Sequence, residues 1–302
     1  MKVVGQNSIV EKFNIISALY NDKKISKIPS TLFISPPGYG KTTLSNYCIS
    51  MFGKDILKIQ GPLLKNKSDL FNLLGRKKDS EIIFIDEIHA ISKNVQEMIF
   101  SLLDFSKIEI SIGSGIDQEA FIFEYKNFTL FGATTNPELL TNAFESRFSI
   151  VELLEEYDNK SLIKIFDNYI LSQELNFHID SEVENEFISI TNRTPRDVLI
   201  KSNKLIWFLM SIKEDILSKK NIEEFKCFLG YDNRGINKEE ENYLNFLSLG
   251  PKSIELISHH MLKSKPYIQS RIEINLIRNE LIKISSRGRE ITEKGKKLIK
   301  LV

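Results

Sequence analysis

"SPPGYGKTTL", residues 35–44, decides how the rest of the chain is read. A phosphate-cradling loop follows the pattern G-x-x-x-x-G-K-[ST]. Gly40, Lys41 and Thr42 fill its last three places, while Ser35 stands where the first glycine belongs. The apolar run "STLFIS" leads into the loop and the helical pattern "KTTLSNYCISMF" leaves it, which is the strand-to-helix junction such a loop requires. Backbone N–H groups and the helix N-terminus attract phosphate oxygens there. Lys41 is expected to reach the β- and γ-phosphates of ATP and the Thr42 hydroxyl to bind Mg2+, with Pro37, Gly38, Tyr39, Gly40 and Thr43 completing the cradle. Gly38 and Gly40 let the main chain pass close to the ligand. Ser35 falls where the loop opens rather than where it wraps, so a small side chain is tolerated.

An independent signal lies downstream in "IIFIDE", residues 82–87. Four apolar residues ending in two acids describe a buried strand that delivers carboxylates at its C-terminal edge, where open α/β sheets bind ligands. Asp86 is expected in the Mg2+ shell, and Glu87 is expected to orient and polarise an attacking water. The presence of Glu87 argues for hydrolysis rather than passive nucleotide binding. A third strand, "FTLFGATTN", ends in Thr134, Thr135 and Asn136, polar groups able to sense a γ-phosphate. Arg147 in "NAFESRF" and Arg196 in "RTPRDV" suggest one arginine donated to a neighbouring subunit and one in the lid of its own. A structural ion pair is the alternative for either.

The chain has 302 residues, 42% hydrophobic and 27% charged, as expected of a soluble globular protein of two or three domains. No apolar run approaches the ~20 residues of a membrane span, and the start lacks a secretory core. Cys48 and Cys227 are far apart in apolar segments and are expected as buried free thiols in a reducing cytoplasm. His259 and His260 are adjacent on a helix and point apart, so metal chemistry has no support there.

The first half alternates strand-like and helical runs whose strands are apolar on both faces, the mark of an α/β domain with a parallel sheet. "KIEISIG" and "AFIFEY" read as a hairpin inserted into it. Beyond Ile150 the pattern is helical, with Trp207 expected in packing, and "GYDNRGINKEEEN" reads as a linker. Three helices then precede a short hairpin around "SRGR", a winged helix-turn-helix pattern. The expected domains are 1–152, 153–228 and 229–302.

The last 52 residues hold twelve Lys and Arg against five Asp and Glu, although the whole chain carries a net charge of only +1. A basic tail domain on an acidic body is the distribution a nucleic-acid contact would leave. Arg271, Asn275 and Arg278 fall at i, i+4 and i+7 of the longest C-terminal helix and are expected to form one polar stripe. Arg287 and Arg289 fall in the wing turn, with Lys294, Lys296 and Lys297 after them, a set that could bracket a phosphate backbone.

Taken together, "VVGQ", "PPGYGKTTL", "IQGPLLKNKSDL", "IIFIDEIHAI", "IEISIGSG", "FTLFGATTNPELLTNAFESRFSIVE", "RTPRDV" and "LIKISSRGREITEKGKKL" resemble the AAA+ ATPases, and among them the RuvB family of Holliday-junction branch-migration motors. The resemblance implies an AAA+ P-loop core with a small helical lid and a C-terminal winged helix. It makes Thr135 the sensor-1 residue, Arg147 a finger acting in trans and Arg196 the sensor-2 arginine. Val4, Gly5, Tyr157 and Pro195 would line the adenine pocket. It further implies a cytoplasmic ring, a hexamer, that works on double-stranded DNA with a RuvA-type partner docked on the hairpin between Gly113 and Glu119. A clamp-loader or RarA-like replication ATPase shares the "GATT" strand but normally ends in a helical collar or tetramerisation domain.

Overall fold

Strands apolar on both faces are stable only inside a covered sheet, and the chain places them there. The computed structural model describes residues 3–76, 82–112, 119–125, 128–173, 178–179 and 181–299. It divides into two compact units, Met1–Ser161 and Leu162–Val302.

The first unit runs α1 (Asn7–Asn21), β1 (Thr31–Ile34), α2 (Lys41–Ser50), β2 (Ile56–Gln60), α3 (Lys67–Arg76), β3 (Ile82–Asp86), α4 (Lys93–Phe105), β4 (Lys107–Ile112), β5 (Glu119–Glu124), β6 (Leu130–Thr134), α5 (Asn142–Glu145) and β7 (Ile150–Leu153), and α6 (Asn159–Ser172) begins at its end. Five strands pair in parallel in the order β2-β3-β6-β1-β7. From β1 the chain leaves for the far edge, returns through β3 to β6, then crosses to β7 on the other side of β1. The C-terminal ends of β3, β6 and β1 thereby lie side by side, and loops leaving adjacent strands there can share a ligand. Every residue of β1 and β6 is buried. Leu32, Ile83, Ile85 and Leu130 pack with Val95, Ile99 and Leu102 of α4 in one core.

β4 and β5 pair antiparallel from Lys107↔Glu124 to Ile112↔Glu119, so the inserted hairpin is present. Its tip, and with it nearly all of the expected docking surface, lies outside the described residues.

The second unit contains the rest of α6, β8 (His178–Ile179), α7 (Ser181–Ser189), α8 (Pro195–Ile212), β9 (Ile216–Leu217), α9 (Lys219–Phe228), α10 (Lys238–Ser248), α11 (Ile254–Met261), α12 (Lys265–Tyr267), a π-helical turn (Ile268–Glu273), α13 (Ile274–Arg278), β10 (Ile282–Ser285), β11 (Gly288–Ile291) and α14 (Glu293–Ile299). Phe166, Phe187, Phe208 and Phe225 form the aromatic centre of the helical lid. Tyr243, Leu244, Ile257, Ile268, Ile272, Leu276 and Ile282 form a separate core that ties three helices to the β10–β11 hairpin.

Three expectations need correction. Trp207 is exposed, not packed, because α8 turns Val198, Ser202, Leu205, Ile206 and Leu209 inward and is too apolar all round for its sequence to show which face is buried. The expected linker is a folded turn. Asp232 Oδ1 accepts the N–H groups of Arg234 and Ile236 at 2.9 and 3.2 Å, the Arg234 guanidinium pairs with Asp232 and Glu241, and Asn237 and Glu240 form a reciprocal capping box on α10. Finally, Cys48 is buried, its thiol pushed up to about 12 chiefly by burial, but Cys227 is exposed. Among the described residues no helix is long and apolar enough to cross a membrane.

Candidate nucleotide site and DNA-facing surface

The loop after β1 ends at Gly40, which caps α2 in the left-handed region (φ 83°), as does Gly38 within the loop (φ 90°). Both conformations favour glycine. The Ser35 N–H donates to the Thr134 carbonyl at 3.3 Å, so Ser35 extends β1 toward β6 rather than entering the cradle. Lys41 lies along the loop, and its Nζ donates to the Ser35 carbonyl at 2.9 Å. Pro37, Thr42 and Thr43 face solvent on the open side.

Two acids arrive from β3. The Thr42 hydroxyl donates to Asp86 Oδ2 at 2.9 Å, joining the start of α2 to the end of β3. Asp86 Oδ1 accepts the Glu87 N–H at 3.1 Å. Glu87 adopts the left-handed region (φ 50°, ψ 50°), which costs a side-chain-bearing residue about 1–2 kcal/mol. That turn swings its carboxylate toward the neighbouring strand end, where Glu87 Oε2 accepts the Thr135 hydroxyl at 2.9 Å and the Thr135 N–H at 3.3 Å. His89 Nδ1 is 2.9 Å from Thr134 Oγ1 and 3.3 Å from Glu87 Oε2. The loops after β1, β3 and β6 thus converge on one spot.

Tyr157 closes the other side of the loop. Its hydroxyl donates to the Tyr39 carbonyl at 3.1 Å, and burial pushes its pKa above the usual phenol value, so the donor persists. A Cβ on Gly5 would meet the Tyr157 ring at 2.8 Å, so only glycine fits beneath it, and Val4 leads into that contact. The next residue, Gln6, exchanges two hydrogen bonds with the Glu155 main chain, at 2.8 and 2.9 Å, which fixes the start of the chain against the residues before Tyr157. Arg147 follows α5. Its Nε donates to Asp104 Oδ2 at 3.0 Å and its guanidinium lies 4.5 Å from the centre of the Phe100 ring. Pro195 and Arg196 open α8 in the second unit, where the Thr194 hydroxyl caps the helix and Arg196 is exposed.

In the winged helix the expected stripe is broken. The π turn at Ile268–Glu273 adds a residue to one helical turn and rotates the helix beyond it. Arg271 faces solvent, Asn275 Nδ2 donates to Glu240 Oε1 at 3.3 Å, and Arg278 Nη1 donates to the Asn192 carbonyl at 2.6 Å. The expectation for Arg289 also needs correction. It lies on β11, not in the turn, with its Nε donating to the buried Glu273 Oε1 at 2.9 Å, and the Tyr243 hydroxyl donates to the same oxygen at 2.6 Å. A carboxylate so buried needs a cation, and Arg289 serves as one. Arg287, Lys294 and Lys297 remain exposed, and Lys296 pairs with Glu293 at 2.7 Å.

Comparison with known proteins bears on the same residues. The family model for the Holliday junction DNA helicase RuvB P-loop domain matches residues 1–154, and that for the RuvB C-terminal winged helix domain matches residues 233–300. The chain belongs to the RuvB family. RuvB of Mesomycoplasma hyopneumoniae, a Holliday junction branch migration complex subunit, is 31% identical over 97% of this chain and 92% of its own length. RuvB of Ehrlichia ruminantium is 30% identical over 97% of this chain and 88% of its own. Thermotoga maritima RuvB has the same fold, with a TM-score of 0.77 and 24% identity over 98% of this chain and 95% of that one. A RuvB winged helix at the C-terminus disfavours the loader-like alternative.

Two residues of the candidate site escaped the sequence reading. His89 follows the two acids in "FIDEIHAI", and its position against Glu87 depends on the left-handed turn at Glu87, which sequence does not announce. Gly61, in "IQGP", passes so close to the Glu87 main chain that a Cβ would lie 2.2 Å from the Glu87 carbonyl oxygen. A glycine with no other role beside the strand-end acids was the available signal.

Proposed function

We propose that this chain is the ATP-driven motor of Holliday-junction branch migration in recombination and repair. In this reading it works as a ring, a hexamer, on double-stranded DNA with a RuvA-type partner. The observation that carries the reading is the contact of Thr42 with Asp86 at 2.9 Å, with Glu87 held beside it by Thr135.

A hydroxyl and a carboxylate side by side are the hard-oxygen donors a phosphate-bound Mg2+ accepts, so Thr42 and Asp86 fit that ion. Mg2+ held there would offset charge on the β- and γ-phosphates. Lys41 and the N–H groups of residues 38–43 bind the phosphates, and Tyr157, Gly5 and Val4 hold the base. Thr135 fixes the Glu87 carboxylate so that it can accept a proton from the attacking water. Arg147 of one subunit completes the site of its neighbour, and Arg196 reports the nucleotide state to the lid.

Arg271, Arg287, Lys294 and Lys297 contact DNA phosphates, which gives affinity without sequence readout, as a translocating motor requires. Exposed Phe121, Ile122 and Phe123 on β5 supply an apolar surface for the partner beside the hairpin tip. The deciding experiment is movement of a synthetic four-way junction with ATP, with and without RuvA. ATP hydrolysis without junction movement in both conditions favours the loader-like ATPase instead.

A further inference from the structure

Arg278 ends α13, and its Nη1 is spent on a main-chain acceptor in the lid, the Asn192 carbonyl at 2.6 Å. Asn192 belongs to the turn between α7 and α8, and its own N–H donates to Asp197 Oδ2 at 2.6 Å. Asp197 is the residue after Arg196. Its N–H donates to Thr194 Oγ1 at 3.3 Å in the cap of α8, and Lys201 Nζ donates both to its Oδ2 at 2.8 Å and to the Ile190 carbonyl at 2.5 Å. Residue 192 therefore takes a bond from the winged helix on its carbonyl side. On its amide side it bonds to the first turn of the helix that bears Arg196.

The turn is stiff. Arg193 sits in the left-handed region (φ 55°), and the Thr191 hydroxyl accepts the Arg193 N–H at 3.1 Å while donating to the Ile188 carbonyl at 2.8 Å. A cavity of about 260 Å3 opens between Ser189, Ile190 and Tyr231 on one side and Asn275, Asn279 and Lys294 on the other. Across an incompletely packed junction, displacement is carried by the specific bonds that span it, because packing transmits strain only where atoms touch.

We infer that Arg278 is a positioning residue that passes movement of the first turn of α8 to the helix and wing behind it, and not a DNA contact. This rests on the proposed function, in which Arg196 responds to nucleotide at that turn.

Hydrogen exchange of the full chain, with and without Mg2+-ATP, tests the inference in the wild type and in Arg278→Ala. In the wild type, nucleotide changes exchange in the first turn of α8 and also in α13 and the β10–β11 hairpin. In Arg278→Ala the response at α8 persists, which shows that the variant is folded and binds ATP. The response in α13 and the hairpin falls by about tenfold, the scale of ordinary coupling energies. Duplex binding keeps the wild-type salt slope.

An undiminished winged-helix response in the variant overturns the inference, as does a wild type with no such response. A salt slope lowered by about one overturns it too, because that is the signature of a lost phosphate contact. Failure of the functional reading shows elsewhere: a wild type whose winged helix responds to ATP but which cannot move a four-way junction sinks that reading and leaves the coupling intact.

Discussion

The nucleotide loop region and the winged helix both fix acidic side chains with hydrogen bonds, and they hold them in opposite ways. Asp86 and Glu87 are held by hydroxyls and main-chain N–H groups from Thr42, Thr135 and Glu87 itself. Such donors fix a carboxylate in place without cancelling its charge, which stays available to a cation or a water. Glu273 is met by the Arg289 guanidinium, with side chains only 3% and 13% exposed, and by the Tyr243 hydroxyl. There the charge is cancelled and the bond is a strut between the helix and the wing. The partner, more than the residue type, separates a site from a strut.

Charge removal at the first region should cost turnover and leave the fold alone. Arg147→Ala is the largest case under the proposed function, in which Arg147 acts in trans, because an arginine so supplied to phosphoryl transfer is worth on the order of 10³–10⁵ in rate. Nucleotide binding should survive, and a steady-state ATPase assay beside equilibrium binding of ATP would show the split. Full turnover in this variant would remove the finger assignment. Glu87→Gln keeps an oxygen for Thr135 and loses only the charge, so turnover should drop by roughly 10²–10⁴, the usual contribution of a positioned base. If the glutamine variant turns over normally, availability of charge is not what the Thr135 contact preserves.

At the winged helix the same operation should cost stability. Arg289→Ala leaves Glu273 buried without its cation, a change of about 3–5 kcal/mol by the general behaviour of such pairs. Chemical denaturation gives the number, and a loss below about 1 kcal/mol would mean that the strut is not desolvated. Arg287→Ala, two residues away in the exposed turn, should leave stability within about 0.5 kcal/mol. Its effect belongs in the salt dependence of duplex binding, whose slope should fall by about one. If the two arginines behave alike, the distinction between them is lost.

This contrast also explains what sequence could and could not reveal. The P-loop, the two acids after an apolar strand and the threonines of "GATT" were legible, because each role demands a residue type and a place at a strand end together. The parallel sheet followed from strands apolar on both faces. Trp207 was misplaced because α8 is apolar nearly all round, so periodicity could not choose its inner face. The single stripe through Arg271, Asn275 and Arg278, and the place of Arg289 in the wing, were misread for a different reason. Helical spacing assumes an unbroken α-helix, and the π turn at Ile268–Glu273 shifts the register. Moreover, a count of positive charge cannot tell a cation aimed at solvent from one committed to a buried acid.

The smallest expected effect concerns an acid that mixes the two patterns. Glu240 is 2% exposed and, like the nucleotide-site acids, is held by neutral donors, the Asn237 N–H at 2.9 Å and Asn275 Nδ2 at 3.3 Å. Burial raises its pKa above the ordinary glutamate value despite those hydrogen bonds. Its folded pKa therefore lies above its unfolded one. Below the unfolded value both states carry the proton and nothing is lost; as pH rises through the folded value, the native state must accommodate a buried carboxylate and stability declines. Glu240→Gln removes that burden: its one amide oxygen can accept the Asn237 N–H, and the amide nitrogen that replaces the other oxygen can donate to Asn275 once that carboxamide turns over. The variant should be more stable than the wild type at about pH 7, and the gain should vanish at about pH 4, near the ordinary glutamate pKa. Paired denaturation curves at the two pH values test this. A gain that persists in acid would come from packing and not from charge, and Glu240 would then not belong in the comparison.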